Sequence, residues 1–472
     1  MKRVSLITSV FVTACTVGPA YQPPAVELPE AWKQSAPRFA EDGRWWRIYG
    51  DPDLERTVEE ALKGNGDLLI AAARVDEARA VLRIADSQFW PAVDATADAN
   101  RNRSSERSSI PLPPGTPLER TTYRAQLNVA YELDLWGRLR RGSEAAQANL
   151  LGTQAAQQTV RITLTSEVAR AYYGLIAFDT QVEATRRSLE LRANGLELQK
   201  ARHAAGIIND FTLKQLEAEV YQSRAQLPAL DTQRNAQELA LAVLVGRSPR
   251  AIMEGTIIRE VDRAGPAAPV VPEGLPSDLL LRRPDVVEAE QRLIASNARI
   301  GEARAALFPR IGLTGYYGGE SSDLSDLFTA PARIWSLAFG LAQPIFQGGR
   351  LFGEVEAVEA RQRQTVALYQ RTLQEAFREV RTALYTQVRA REAFEAEGLR
   401  VDALTETLRL ARIRYENGLL SQLEVLDAER NLLQAQLNRA DALRVQRAAV
   451  ADVVRALGGG WQGFDAVAQR QP

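Results

Sequence analysis

Gly137-Arg138-Leu139 opens a stretch that runs to Gly246, and Gly349-Arg350-Leu351 opens its second copy, which runs to Gly458. A slide of 212 places lays one copy on the other without a gap. Glu167, Val168, Ala171 and Tyr173 fall on Glu379, Val380, Ala383 and Tyr385; Arg202, Gly206 and Glu217 fall on Arg414, Gly418 and Glu429. Long paired helices need such a register, because one inserted residue turns a helix by about 100° and carries its apolar stripe off its partner. Each copy has one break, Ala204-Ala205-Gly206-Ile207-Ile208-Asn209-Asp210 and Glu416-Asn417-Gly418-Leu419-Leu420-Ser421. Glycine there supplies the left-handed cap that ends a helix. The spacing predicts a helix over residues 138–205, roughly 100 Å long at ~1.5 Å per residue. Two long helical hairpins, 138–246 and 350–458, related by duplication, are the frame.

At 472 residues the chain has room for several domains, but the duplication argues for one elongated body. A formal net charge of −1 gives no reason to expect nucleic acid as a partner. One cysteine rules out an internal disulfide, and with one histidine it cannot build a zinc site. That cysteine is informative. Lys2-Arg3 make a short basic start, residues 4–12 are mostly apolar, and Val12-Thr13-Ala14 lead to Cys15. The pattern predicts a signal peptide over 1–14 ending in a lipobox, with Cys15 lipidated as the mature N-terminus. Leu is commoner than Val three places before such a Cys; the alternative is an ordinary signal peptide with an incidental Cys. Thr16, rather than Asp, after the Cys favours delivery to the outer membrane. No later run of 18 apolar residues exists to form a membrane-spanning helix.

Residues 15–50 are rich in Pro and Trp, and an extended strap along the outside of the body is expected. The first repeat then spans 51–246. A short helix over 53–63 stops at Gly64-Asn65-Gly66, and a second over 67–89 ends at Trp90-Pro91, since Pro disfavours helix in the residue before it. Then the period changes. From Thr122 to Asp134, Tyr123, Ala125, Leu127, Val129, Tyr131 and Leu133 alternate with mostly polar residues, the pattern of a two-faced strand. Strands are expected at about 92–101 and 121–134, joined by a polar loop. Residues 247–276 read as a connector. The second repeat, 277–458, follows the same plan, with strands at about 309–319 and 333–346; 459–472 is a tail without pattern. Strands of this length suit a tilted bilayer crossing, with Trp90, Trp136, Phe308 and Phe346 as an aromatic girdle at one end. The alternative is a soluble four-stranded sheet packed on a helix. The short helices 67–89 and 285–307 are expected to stack end to end on the returning arms of the hairpins.

Several stretches, taken together and in order, resemble one family. They are Cys15-Thr16-Val17-Gly18-Pro19-Ala20-Tyr21, Trp45-Trp46-Arg47-Ile48-Tyr49-Gly50-Asp51-Pro52 and Asn65-Gly66-Asp67-Leu68. Further on stand Leu135-Trp136-Gly137-Arg138-Leu139, Leu281-Arg282-Arg283-Pro284-Asp285-Val286 and Gln343-Pro344-Ile345-Phe346-Gln347-Gly348-Gly349-Arg350. The last are Arg414-Tyr415-Glu416-Asn417-Gly418 and Glu424-Val425-Leu426-Asp427. The chain resembles the outer membrane factor family, the TolC-like efflux ducts, in its NodT-like lipoprotein branch. The resemblance implies a mainly α chain with a membrane β-barrel: a homotrimer whose four strands per chain make a twelve-stranded barrel above a periplasmic α-barrel tunnel. Four strands in lipid leave two unpaired edges, which independently requires several chains to close one barrel.

No phosphate loop, nucleophile elbow or paired-His zinc motif appears, so no enzyme activity and no cofactor are expected. His203, the one histidine, is read as a packing position. The expected role is a passive exit duct for small molecules such as drugs. It would work with a periplasmic adaptor and an inner-membrane pump of the RND type. The rivals are a duct for a type I protein-secreting exporter and a pore-less periplasmic scaffold lipoprotein. The tips Gly206, Ile207, Ile208, Asn209 and Gly418, Leu419, Leu420, Ser421 are small and apolar where a bare loop would be polar, and adaptor docking is expected there. Glu424 and Asp427 share one helix face. By the resemblance they line the closed periplasmic gate, with Glu424 in place of the usual Asp. Tyr415 and Thr212 match positions near that constriction, although Thr212 stands where the family more often has Asp. Few Met and one His offer no support for a metal-relay lining.

Overall fold

The computed structural model describes residues 17–25, 43–107, 113, 115–255, 257, 259, 283–459 and 461. The duplication is visible in its helices. Arg138–Ala204 (α3) and Arg350–Glu416 (α7) have 67 residues each, and Asp210–Leu244 (α4) and Gln422–Ala456 (α8) have 35 each. At ~1.5 Å per residue α3 and α7 are each about 100 Å long. Before them stand Pro52–Gly64 (α1), Gly66–Ser87 (α2) and, in the second half, Pro284–Ala305 (α6). Pro249–Glu254 (α5) is a short helix in the connector. Among the described residues no helix is long and apolar enough to cross a membrane. The described residues divide into two compact units, the first taking in residues 17–25, 75–153 and 289–369, the second the other described residues.

The first unit holds the strands Ala92–Arg103 (β1), Glu119–Leu133 (β2), Arg310–Ser321 (β3) and Arg333–Ala342 (β4). They form one antiparallel sheet in the order β1-β2-β3-β4, so β1 and β4 are its edges. Register fixes the faces, because residues paired across an antiparallel ladder lie on one side. Val93 pairs with Val129, Leu127 with Tyr317, and Tyr317 with Trp335; Tyr131 pairs with Leu313, and Leu313 with Phe339. One face is therefore apolar across all four strands, and most of its large side chains are exposed. The other carries Asp94 opposite Asn128, Thr96 opposite Gln126, and Arg124 opposite Glu320. β4 ends at Ala342, four residues before the expected limit. Pro344 has no N–H to give a ladder, and the Gln343 side chain turns to donate to the Leu307 carbonyl at 3.0 Å. At this same end Trp136 stacks on Phe308 with centroids 4.9 Å apart and donates Nε1–H to the Pro309 carbonyl at 2.8 Å. Trp90 and Phe346 are exposed beside the first and last strand.

The second unit is built round aromatic rings. Residues Trp45–Tyr49 form a 3-10 turn whose Trp45, Trp46 and Tyr49 are almost wholly buried among Val168, Tyr172, Leu241 and Val450. This part of the expected outer strap is therefore core, and its rings have partners to hold it there. Trp45 donates Nε1–H to Thr165 Oγ1 at 3.0 Å, and the Tyr49 hydroxyl donates to the Arg447 carbonyl at 2.7 Å. Burial pushes the Tyr49 phenol well up, which keeps it a neutral donor.

The expected end-to-end junctions are present in this unit, once per repeat. The Asn65 side chain donates to the Leu244 carbonyl at the end of α4 and accepts from Leu68 N at the start of α2. In the second repeat Arg283 donates to the Ala456 carbonyl at 2.8 Å, at the end of α8, and also binds Asp285 and Glu379. Each junction satisfies a last-turn carbonyl that a helix end leaves open. The connector is clasped to the unit by Arg259, which donates to Asp179 and Glu238. Burial alone would raise the Glu238 pKa, but the bonds from Arg259 and Ile257 N bring it below the usual carboxylate range.

Candidate functional site: the hairpin tips

The two tips, both in the second unit, end their helices in the same way. Gly206 and Gly418 take φ of 75° and 74°, the left-handed region where a side chain is strained. Ile207 N donates to the Arg202 carbonyl at 2.9 Å and Leu419 N to the Arg414 carbonyl at 2.8 Å, the six-residue closure of a Schellman cap. The next helix is capped at once. Asn209 Oδ1 accepts from Thr212 N, and the Ser421 pair is reciprocal, with Glu424 reaching back to the Ser421 N–H.

These turns leave apolar side chains outside. Ile207 and Leu419 are both 69% exposed, whereas Ile208 and Leu420 are half-buried. Phe211, 70% exposed, and Leu423, 54% exposed, add to them. Neither is among the residues that the sequence singles out. The signal was their place: each stands in the first turn of the helix that follows a tip, four residues after Ile207 or Leu419.

The expected gate residues take different partners. Glu424 and Asp427 are both exposed, one turn apart on α8. Hydrogen bonds from the Ser421 backbone and hydroxyl hold the Glu424 carboxyl below its usual range. Asp427 is bound by Arg430. Tyr415 joins the hairpins: its hydroxyl accepts from Arg202 at 2.7 Å and from Gln199 at 3.1 Å, both on α3. Gln199 also reaches Gln422 at 3.4 Å. Thr212 is not part of this latch, because its hydroxyl is taken up by Asn209. It occupies the first-repeat counterpart of the Glu424 position, and both serve a cap. His203 faces Asp210 at 2.7 Å. Cys15 lies outside the described residues. Among those described, no group of three or more His, Cys, Asp or Glu is placed to hold a metal ion.

A family model described as "Outer membrane efflux protein" matches residues 57–247 and 275–459. The toluene efflux pump outer membrane protein TtgI of Pseudomonas putida is 34% identical over 472 residues, covering 98% of each chain. The cation efflux system protein CusC of Escherichia coli O6:H1 is 32% identical over 467 residues, with 98% of this chain and 99% of the relative covered. Among solved structures, the Campylobacter jejuni CmeC outer membrane channel superposes with a TM-score of 0.90 at 23% identity, covering 96% of this chain and 98% of that one.

Proposed function

The chain belongs to the outer membrane efflux protein family, and from that premise we propose that three copies close one duct that receives its cargo at the hairpin tips. Its fold is that of the outer-membrane efflux channels, and the outer membrane is its place. Family and fold are those of channel proteins. The observation that carries the proposal is the sheet: one continuous apolar face, one polar face, and two open edges. In hydrocarbon an open edge leaves backbone groups unsatisfied, so β4 of one copy is completed by β1 of the next. The apolar face then meets lipid and the polar face lines a water-filled lumen.

The tips dock a periplasmic adaptor, which couples the duct to an inner-membrane pump. Exposed Ile207, Phe211, Leu419 and Leu423 give that partner an apolar surface of matching form in both repeats. Glu424 and Asp427, repeated by the trimer, ring the narrow periplasmic end, and the Tyr415 latch holds it closed. The cap on Glu424 keeps its carboxylate ionised against the repulsion of its copies. Relatives serve both solvents and cations. With two Met and one His this chain lacks the ligands for relaying soft metal ions, which favours small organic molecules as cargo. A lipid on Cys15 adds a second anchor to the barrel; of the segment that follows it, Val17 N donates to the Trp136 carbonyl at 3.1 Å. The test is reconstitution in a planar bilayer, where discrete cation-selective openings are expected. A silent bilayer from correctly assembled protein would point to a scaffold without a pore.

A further inference from the structure

At the end of the sheet away from the helices, the β3–β4 loop folds back over the apolar face. Leu327 is buried there, and its carbonyl lies where a side chain on Gly319 would stand, so only glycine lets the loop lie so close. The loop walls a recess of about 530 Å³ floored by Ala95, Ala97, Ala125 and Gly319, with Tyr317 at its side and Arg333 at its rim. The floor is made of small side chains in adjacent strands, Ala97 opposite Ala125 and Ala125 opposite Gly319. Phe328, which also lines the recess, is 85% exposed, and Leu324 and Trp335 at this end of the sheet are exposed as well.

The charges at this end are distributed unevenly. Arg101 and Arg103 are paired with Glu119, and Arg124 with Glu320. Arg333 lies on the apolar face, opposite Gly319 in the ladder, and has no ion pair among the described residues. A cation at the rim of an apolar recess, on a face turned to the membrane, complements an acyl chain that ends in an anionic headgroup.

We propose that this recess binds a phosphorylated, multiply acylated glycolipid of the surrounding outer leaflet. An acyl chain lies on the alanine and glycine floor beneath Leu327, and a phosphate meets Arg333 by charge-assisted hydrogen bonds. The exposed Phe328 and Leu324 bed the loop among neighbouring chains. The proposal rests on the orientation given above, with the helices on the periplasmic side, and on the apolar face being the lipid face.

The experiment is native mass spectrometry of the assembled full chain in detergent with added diphosphorylated lipid A, or with the same lipid stripped of phosphate. The wild type is expected to retain lipid A, and Arg333→Ala to lower its occupancy about tenfold, the order of one charge-assisted contact. Ala97→Leu, which fills the floor, should weaken both lipids. Arg120→Ala, on the opposite face of β2, should change nothing. Unchanged binding in Arg333→Ala, or an equal loss in Arg120→Ala, overturns the proposal. Conductance of the same samples separates the two readings: channels with no lipid preference remove the lipid site and leave the duct intact.

Discussion

On the proposed reading, single side chains at the tips set the selectivity of the duct and its opening. Glu424 is the clearest case, since it serves a cap and a proposed gate together. Its folded pKa is depressed by Ser421, so its contribution to the tip is fully present above the ordinary carboxylate value and is lost as pH falls through the lower, folded value. Above that window, hydrogen exchange of residues 421–426 should therefore be slower in the wild type than in Glu424→Gln at matched pH; on acidification the two should converge. Selectivity is a separate readout. In single-channel recordings the Glu424→Ala/Asp427→Ala double variant should lose cation preference and block by multivalent cations, because carboxylate rings set both. Unchanged selectivity means that these groups face outward. Tyr415→Phe removes the acceptor for Arg202 and Gln199. It should raise open probability while leaving selectivity unchanged.

The helices and strands were legible in the sequence where a local period or a repeat recorded them. A register of 212 places carries through to helices of equal length in both repeats, because a slipped helix would lose its whole packed stripe. The strands were found for a similar reason: alternation survives only if one face is apolar. The aromatic core was not legible. Trp45 bonds 120 residues away and Tyr49 398 residues away, and a short Pro- and Trp-rich segment has no period to announce such partners. Nor did the sequence show that Thr212 belongs to a cap instead of the Tyr415 latch, since that depends on which way one hydroxyl turns. The junctions between stacked helices are the elements most exposed to mutation. Arg283 is buried, with Asp285 and Glu379 as its partners. Arg283→Ala should cost about 2–3 kcal/mol, from the lost bond to the Ala456 carbonyl and the lost charge-assisted bonds to acids that stay partly solvated. Asn65→Ala, a neutral pair in the equivalent place, should cost about 1 kcal/mol. Thermal denaturation in detergent should rank them in that order; equal losses would mean that the charges contribute nothing.

For the whole assembly the question is which side of the sheet meets lipid, and two neighbouring residues can answer it. Leu337 and Ser336 are consecutive in β4, so their side chains point to opposite faces. Leu337 pairs with Gly315 on the apolar face and is 74% exposed; Ser336 pairs with Tyr316 on the other. A lysine at position 337 would sit in hydrocarbon, at a cost of about 2–4 kcal/mol per copy near the bilayer midplane. Closure multiplies that cost, because every chain in the barrel carries the substitution. Leu337→Lys should therefore reduce the amount of assembled oligomer in outer-membrane fractions. Ser336→Lys should assemble at wild-type level, since its ammonium lies in lumen water. Its effect should appear in bilayer recordings as a loss of cation preference, from a ring of positive charge facing the permeating ions. A soluble sheet covered on its apolar face by a helix predicts otherwise: Leu337→Lys would unfold the chain altogether, and Ser336→Lys would be silent in every assay. A pair of variants that fail alike, or trade places, would overturn the assignment of the faces and with it the barrel.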